Sequence, residues 1–217
     1  MSPRGLSDKL EGVKRPEIQA NFVLSADGKI STVNRCPSKW SSAADKARYF
    51  QIRSGADAIL VGRHTLQADN MSMTGDQNPW RCIVSESGNL SADDKVFRTD
   101  GGPIHIITSA PSLPSSVQNK VTFHADLDVF LMAAAQSGIE RVLCEGGGQL
   151  FKSLLSADLV DVLHLTWTGH LLFGGKNAPT CTGLPGAFLP QSKRLKLELF
   201  QPSEDGTELF LTYRVLR

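Results

Sequence analysis

Several residues in this sequence are of types that bind small anionic molecules. Gly146, Gly147 and Gly148 follow the apolar stretch 141–144, with Glu145 between. Three glycines allow close backbone approach, and the N–H groups of a helix beginning there would attract a phosphate or pyrophosphate. The spacing is not G-x-G-x-x-G, so the ordinary dinucleotide fingerprint is excluded. The run serves either a phosphate or a tight strand-to-helix turn. Glu145 could accept hydrogen bonds from ring N–H or amino groups, or interact with the helix start. Arg53 closes a helix, where it could complement the macrodipole or fork onto a phosphate. Thr65 and Asp69 lie just past Gly62, at a strand end. Trp40 stands in a polar stretch, where an aromatic packs either on a ligand ring or on the edge of the core. The Ser25-Ala26-Asp27-Gly28-Lys29 segment reads as a turn. His64 reads as a surface residue and His105, inside an apolar strand, as structural. His124, His164 and His170 have no ligand spacing, so no metal site is expected.

The elements that must carry these groups alternate between strand and helix. Residues 18–24 suit a strand, and 29–39 a loop. Ser41-Ser42 caps a helix that runs to Arg53, with Ala47, Phe50 and Ile52 available for its buried side. The wholly apolar run 58–61, ended by Gly62, suits the middle of a parallel sheet. Residues 82–84 and 104–107 repeat it, and 121–123 is a weaker copy. A helix over 127–137 stops at Gly138, a strand covers 141–144, and a helix starts at Gln149. Residues 160–168, 193–200 and 208–215 are strand-like without intervening helices, so antiparallel strands should close one edge. The class is α/β around a mostly parallel sheet. Ligands in such folds bind beyond the carboxyl ends of the strands.

Composition narrows the function further. The chain has 217 residues, 41% hydrophobic and 21% charged, with a net charge of +1. No global field calls for nucleic acid or an anionic membrane. No apolar stretch approaches the length of a membrane span. Residues 1–15 are polar and lack a signal-peptide core, so they are expected to form a flexible arm before a single domain over 16–217. The four cysteines (Cys36, Cys82, Cys144, Cys181) fit no zinc pattern and read as free thiols in a reducing cytoplasm.

Motifs in order along the chain are Ser25-x-Asp27-Gly28-Lys29-Ile30, Ser38-x-Trp40-Ser41, and Arg53-x-x-Ala56-Asp57-Ala58-Ile59-Leu60-Val61-Gly62-x-x-Thr65-x-x-x-Asp69. Asn78-Pro79-x-Arg81, Leu143-x-Glu145-Gly146-Gly147-Gly148-x-Leu150, Phe173-Gly174-Gly175-Lys176-x-Ala178-Pro179 and Leu211-Thr212-Tyr213-Arg214-Val215 follow. Together they resemble the pyrimidine reductases of riboflavin biosynthesis, nearer the stand-alone archaeal and fungal type than the bacterial deaminase-reductase fusion. The resemblance implies a dihydrofolate-reductase-like fold: three layers, α/β/α, around a mostly parallel sheet with antiparallel C-terminal edge strands. It also implies a homodimer and an NADPH donor, with NADH as the alternative. The family substrate is a diaminopyrimidinone ribosylamino 5′-phosphate, reduced at ribose C1′ to a ribityl chain. On this pattern Leu24, Trp40, Thr65, Asp69, Gly147, Gly148, Gln149 and Leu150 meet the cofactor. Ser38, Arg53, Met73 (through its backbone) and Glu145 meet the substrate. Arg53 would take the phosphate and Glu145 the pyrimidine, while Asp69 would assist proton transfer.

The sequence departs from the family in two places that bear on ligands. Asp76 stands where the pattern carries a basic phosphate contact. A carboxylate there repels phosphate unless Lys39 or Arg63 compensates, which leaves room for an unphosphorylated substrate. Glu86 lies where relatives hold the adenosine end, and would favour a 2′-hydroxyl over a 2′-phosphate. Asn21 replaces a lysine common in the fusion proteins, as the stand-alone relatives also do. A nucleotide-binding protein without catalysis is the rival from another class.

Overall fold

The computed structural model describes residues 14–34, 40–110, 112–184, 186 and 189–217. Ser38, Lys39, Cys36 and most of the expected N-terminal arm lie outside them. In chain order the elements are β1 (Glu17–Ser25), α1 (Ala43–Ser54), β2 (Ala58–Gly62), α2 (Arg63–Ala68), β3 (Trp80–Val84), α3 (Lys95–Arg98), β4 (Ile104–Ile107) and α4 (Ser115–Gln118). Then come β5 (Val121–His124), α5 (Leu127–Gln136), β6 (Arg141–Cys144), α6 (Gly148–Ser156), β7 (Val162–Thr168), β8 (Arg194–Pro202) and β9 (Glu208–Leu216). They fall into two compact units, one of residues 14–17 and 53–143, the other of 18–52 and 144–217.

In the first unit the strand order is β5-β4-β3-β2-β6. β2 to β5 pair in parallel, with Ala58 opposite Trp80, Arg81 opposite Ile104 and Ile104 opposite Val121. Ala58, Ile59, Leu60 and Val61 are wholly buried, as a run apolar on both faces requires. Each large aliphatic side chain of this kind contributes roughly 2 kcal/mol of burial. α5 begins at Asp126, whose carboxylate accepts the Val129 N–H at 2.8 Å, and ends before Gly138 at φ 78°. The glycine stop is the one the sequence reading names, and the Asp126 carboxylate adds an N-cap it did not name. The short helices α2, α3 and α4 were not expected. None has a side-chain cap hydrogen bond, and none is long enough to show a period.

Two polar features sit inside this unit. Arg81 is buried, and its guanidinium donates to the carbonyls of Gly102 (2.7 Å), Val96 (2.9 Å) and Thr99 (2.8 Å). It fastens the segment around α3 to β3. His105 stacks on Trp80 with ring centroids 3.8 Å apart, and its Nδ1 lies 2.9 Å from His124 Nε2. Both histidines are buried, and Phe130 of α5 closes edge-on over the pair. His105 is therefore structural, as its place in an apolar strand implies.

The second unit has the order β1-β7-β9-β8. β1 and β7 are parallel, with Asn21 opposite His164. β7 and β9, and β9 and β8, are antiparallel. Phe22 and Phe151 pack 4.9 Å apart between β1 and α6. Here α1 corrects the sequence reading. Ala47 and Phe50 point to solvent, and the helix's one buried side chain is Asp45. The reason lies in what α1 meets. Arg48 donates to the Thr166 hydroxyl (3.2 Å), the Leu211 carbonyl (2.8 Å) and the Thr212 hydroxyl (3.3 Å), and lies over the Phe210 ring. Glu208, buried on β9, accepts from the Ser42 hydroxyl and from its N–H at 3.2 Å. A polar sheet surface selects a polar helix face.

Among the described residues no helix is long and apolar enough to cross a membrane. Cys82, Cys144 and Cys181 are free, and burial pushes the Cys144 thiol up to about 12.

Candidate active site

The expected ligand-facing residues are distributed over both units. In the first, β2 ends at Gly62 and the chain turns directly into α2, which carries Thr65. Asp69 is the C-cap of that helix, its N–H donating to the Thr65 carbonyl at 3.0 Å. The spacing Thr65-x-x-x-Asp69 thus places the two one helical turn apart. Burial of the surrounding chain raises the Asp69 carboxyl. The residue is nonetheless exposed at the surface, so water limits the rise.

Beyond Asp69 the backbone adopts left-handed conformations at Asn70 (φ 46°) and Met73 (φ 57°). Asparagine tolerates this region, but a long unbranched side chain does so only when its surroundings enforce it. The Met73 side chain is buried to 1% exposure, which anchors the loop. Its backbone groups are thereby held in an uncommon direction, in keeping with the backbone role that the resemblance assigns. Arg53 lies in the last turn of α1, with Nε and one terminal nitrogen shielded from solvent. Asp76 and Glu86 are both exposed.

In the second unit β6 runs out at Cys144, and Glu145 follows with both carboxylate oxygens shielded from water. Gly146 has φ 111°, open to glycine alone, and the Gly146–Gly147 peptide is cis. α6 then begins with Gly147 as its N-cap and no side chain capping it. Its first amides are donors of the kind that bind phosphate. Gly148 is required for a different reason. A Cβ there would lie 2.6 Å from Gly183 N and 2.7 Å from Thr180 O. Gln149 is exposed and Leu150 buried. Leu24 is the penultimate residue of β1, where its carbonyl accepts the Thr168 hydroxyl at 2.8 Å. Trp40 packs edge-on against Phe173, ring centroids 5.0 Å apart and planes at 89°. Its Nε1 is buried without a hydrogen-bond partner among the described residues.

These groups fit a nicotinamide dinucleotide. An uncapped helix start suits its pyrophosphate, and an indole with an unused N–H suits its ring or amide. Sequence reasoning named these segments but not what holds them. Asp27 reads as a plain turn residue, and Glu208 as one more strand residue. Their partners lie 146 and 166 positions away, at Phe173 and Ser42.

A mostly parallel sheet with antiparallel closing strands and a glycine-started helix defines a dihydrofolate-reductase-like fold. The dihydrofolate reductase of Enterococcus faecalis superposes with a TM-score of 0.56 at 16% identity, over 93% of this chain and 97% of that one. The chain belongs to the RibD C-terminal domain family, whose model matches residues 16–210. It is 29% identical to the 2,5-diamino-6-ribosylamino-4(3H)-pyrimidinone 5′-phosphate reductase of Methanothermobacter thermautotrophicus, over 93% of this chain and 99% of the relative. The enzyme of the same name from Archaeoglobus fulgidus is 28% identical over 85% and 93%. Among solved structures, the Thermotoga maritima deaminase/reductase matches with a TM-score of 0.77 at 23% identity over 93% of this chain. The chain spans 57% of that longer protein.

Proposed function

We propose that the protein is an NADPH-dependent pyrimidine reductase of riboflavin biosynthesis, acting on a diaminopyrimidinone ribosylamino 5′-phosphate. The observation that carries this reading is the match to the Methanothermobacter reductase over nearly the full length of both chains. NADPH, when bound, supplies the hydride that reduces ribose C1′ and opens the sugar to a ribityl chain. The protein's part is to position the two ligands and exclude water rather than to supply a nucleophile. Leu24, Trp40, Thr65, Gly147, Gly148, Gln149 and Leu150 hold the cofactor. Arg53 holds the 5′-phosphate, Glu145 the pyrimidine amino groups, and Ser38 and the Met73 backbone the rest of the substrate. Asp69, its carboxyl raised by burial, assists proton transfer at the opened sugar. The enzyme works in the cytoplasm as one catalytic domain over 16–217, and as a homodimer. β8 supports the dimer: it is exposed along its whole length and carries Leu195, Leu197, Leu199 and Phe200 on the surface.

Asp76 favours a second reading, a reductase of the same fold with an unphosphorylated substrate. The experiment that separates the readings is a fluorescence titration with NADPH and with NADH, followed by turnover on the phosphorylated pyrimidine. Tighter binding of NADPH together with turnover supports the first reading. Cofactor binding without turnover leaves the second, or a binding protein. No binding of either cofactor removes both enzymatic readings. Tighter binding of NADH would mark Glu86 as a selector against the 2′-phosphate.

A further inference from the structure

The Phe173-Gly174-Gly175 segment has no role in the reading above, yet the turn after β1 grips it at several points. Asp27 Oδ1 accepts the Ser25 hydroxyl at 2.6 Å and the Phe173 N–H at 3.2 Å. Asp27 Oδ2 accepts the Gly174 N–H at 2.8 Å. On either side, the Ala26 N–H donates to the Leu171 carbonyl (2.7 Å) and the Ile30 N–H to the Pro179 carbonyl (2.9 Å). Gly174 and Gly175 have φ of 62° and 80°, and a Cβ at either would meet nothing within 4 Å. Glycine is needed there for the turn, not for space. The turn holds the Phe173 ring perpendicular to that of Trp40, a T-shaped geometry that aromatic pairs favour. The same hydrogen bonds, the one from Ser25 foremost, hold the Asp27 carboxyl below the usual carboxylate range.

The chain beside Trp40 is fixed as well. Two residues on, Ser42 is bound through its N–H and its hydroxyl to the buried carboxylate of Glu208. The indole thus has Phe173 against its ring and a fixed residue two positions along the chain, while its own N–H has no partner among the described residues.

We propose that Asp27 is a positioning residue for cofactor binding: its carboxylate fixes the Phe173-Gly174 strap, and the Phe173 ring fixes the Trp40 indole against the nicotinamide cofactor. The inference rests on the reading that Trp40 meets that cofactor. Asp27 itself touches no ligand. A structural turn residue would affect stability alone, whereas a positioning residue changes the state of Trp40 and the affinity for the cofactor.

The test uses near-ultraviolet circular dichroism of the apo-protein together with NADPH titration. The difference between wild type and W40F assigns the Trp40 band against those of Trp80 and Trp167. D27A and F173L should each lose most of that band while far-ultraviolet spectra stay the same. D27N, which keeps the Oδ1 acceptor, should retain part of it, and carries the test should D27A not fold. The NADPH dissociation constant should rise about fivefold in D27A, in line with the loss of charge-assisted hydrogen bonds. The D27A/F173L double variant should bind no more weakly than the worse single one, because both act through one contact. An intact Trp40 band in D27A, an unchanged dissociation constant, or additive losses in the double variant would each overturn the proposal. Failure of the wild type to bind any nicotinamide cofactor would instead overturn the functional reading, with the dichroism still deciding whether Asp27 orders Trp40.

Discussion

Replacing His105 with phenylalanine should flatten much of the protein's loss of stability in mild acid. His105 is 5% exposed, stacked on Trp80 and hydrogen-bonded to His124. Burial, with the neighbouring His124 adding to it, pushes its pKa down from 6.5 to about 4. The sign follows from the direction of that shift. The folded state refuses a proton that the unfolded chain accepts, so the contribution to stability is full above pH 6.5 and is lost as pH falls towards about 4. Between about pH 7.5 and pH 5 the unfolded ring protonates almost fully and the folded ring by roughly a tenth. That amounts to roughly 2 kcal/mol of stability from this one group. Urea unfolding of wild type and H105F at both pH values reads it, because the carboxylates titrate alike in the two proteins and only the histidine pair differs. Phenylalanine keeps a flat ring against Trp80, so H105F should fold. The difference between the proteins should shrink or reverse by about 2 kcal/mol on going to the lower pH. Equal losses in the two, within about 0.5 kcal/mol, would refute the argument and mean that the histidine pair takes up protons in the native state.

Three further outcomes follow from the same geometry. G148A places a methyl group against Gly183 N and Thr180 O, 2.6 and 2.7 Å away. It should cost about 2 kcal/mol and lower the melting temperature by about 5 °C, with weaker cofactor binding from the displaced helix start. A melting temperature equal to wild type would mean that the 180–183 turn yields freely. D76R should strengthen binding of the phosphorylated pyrimidine about fivefold at low salt, and less at high salt, because Asp76 is exposed. Unchanged affinity would assign that contact to another cation. L197E/F200E on the exposed strand β8 should convert a dimer to monomers in sedimentation, and a variant that remains dimeric would move the interface elsewhere.

How much of this was legible in the sequence depended on the distance over which each signal acts. β2 and β4 are apolar on both faces, and Gly138 and Ser42 mark helix ends, so local pattern alone placed them. α1 misled because its period was read for a hydrophobic face, whereas the sheet residues it covers, Thr166, Thr212 and Glu208, are polar. That complement lies more than a hundred residues along the chain. α2 escaped notice because six residues after Gly62 carry neither a cap nor a period. The site shows the same division. Glu145 and the glycines stand out because a strand, a turn and a helix start are contiguous. Met73 could be named only from the family pattern, since neither its left-handed backbone nor its burial leaves a trace in residue type. The Asp27–Phe173 clamp links a common turn dipeptide to a loop far along the chain, and no local rule joins them.

The central claim is that this chain reduces a ribosylamino pyrimidine phosphate with a nicotinamide cofactor. The most direct measurement mixes the purified protein with NADPH and the diaminopyrimidinone ribosylamino 5′-phosphate, follows cofactor oxidation, and weighs the product by mass spectrometry. The account predicts substrate-dependent oxidation of NADPH and a ribityl product heavier than the substrate by two hydrogens. Bound NADPH that is not oxidised, with the substrate recovered at its original mass, would contradict it.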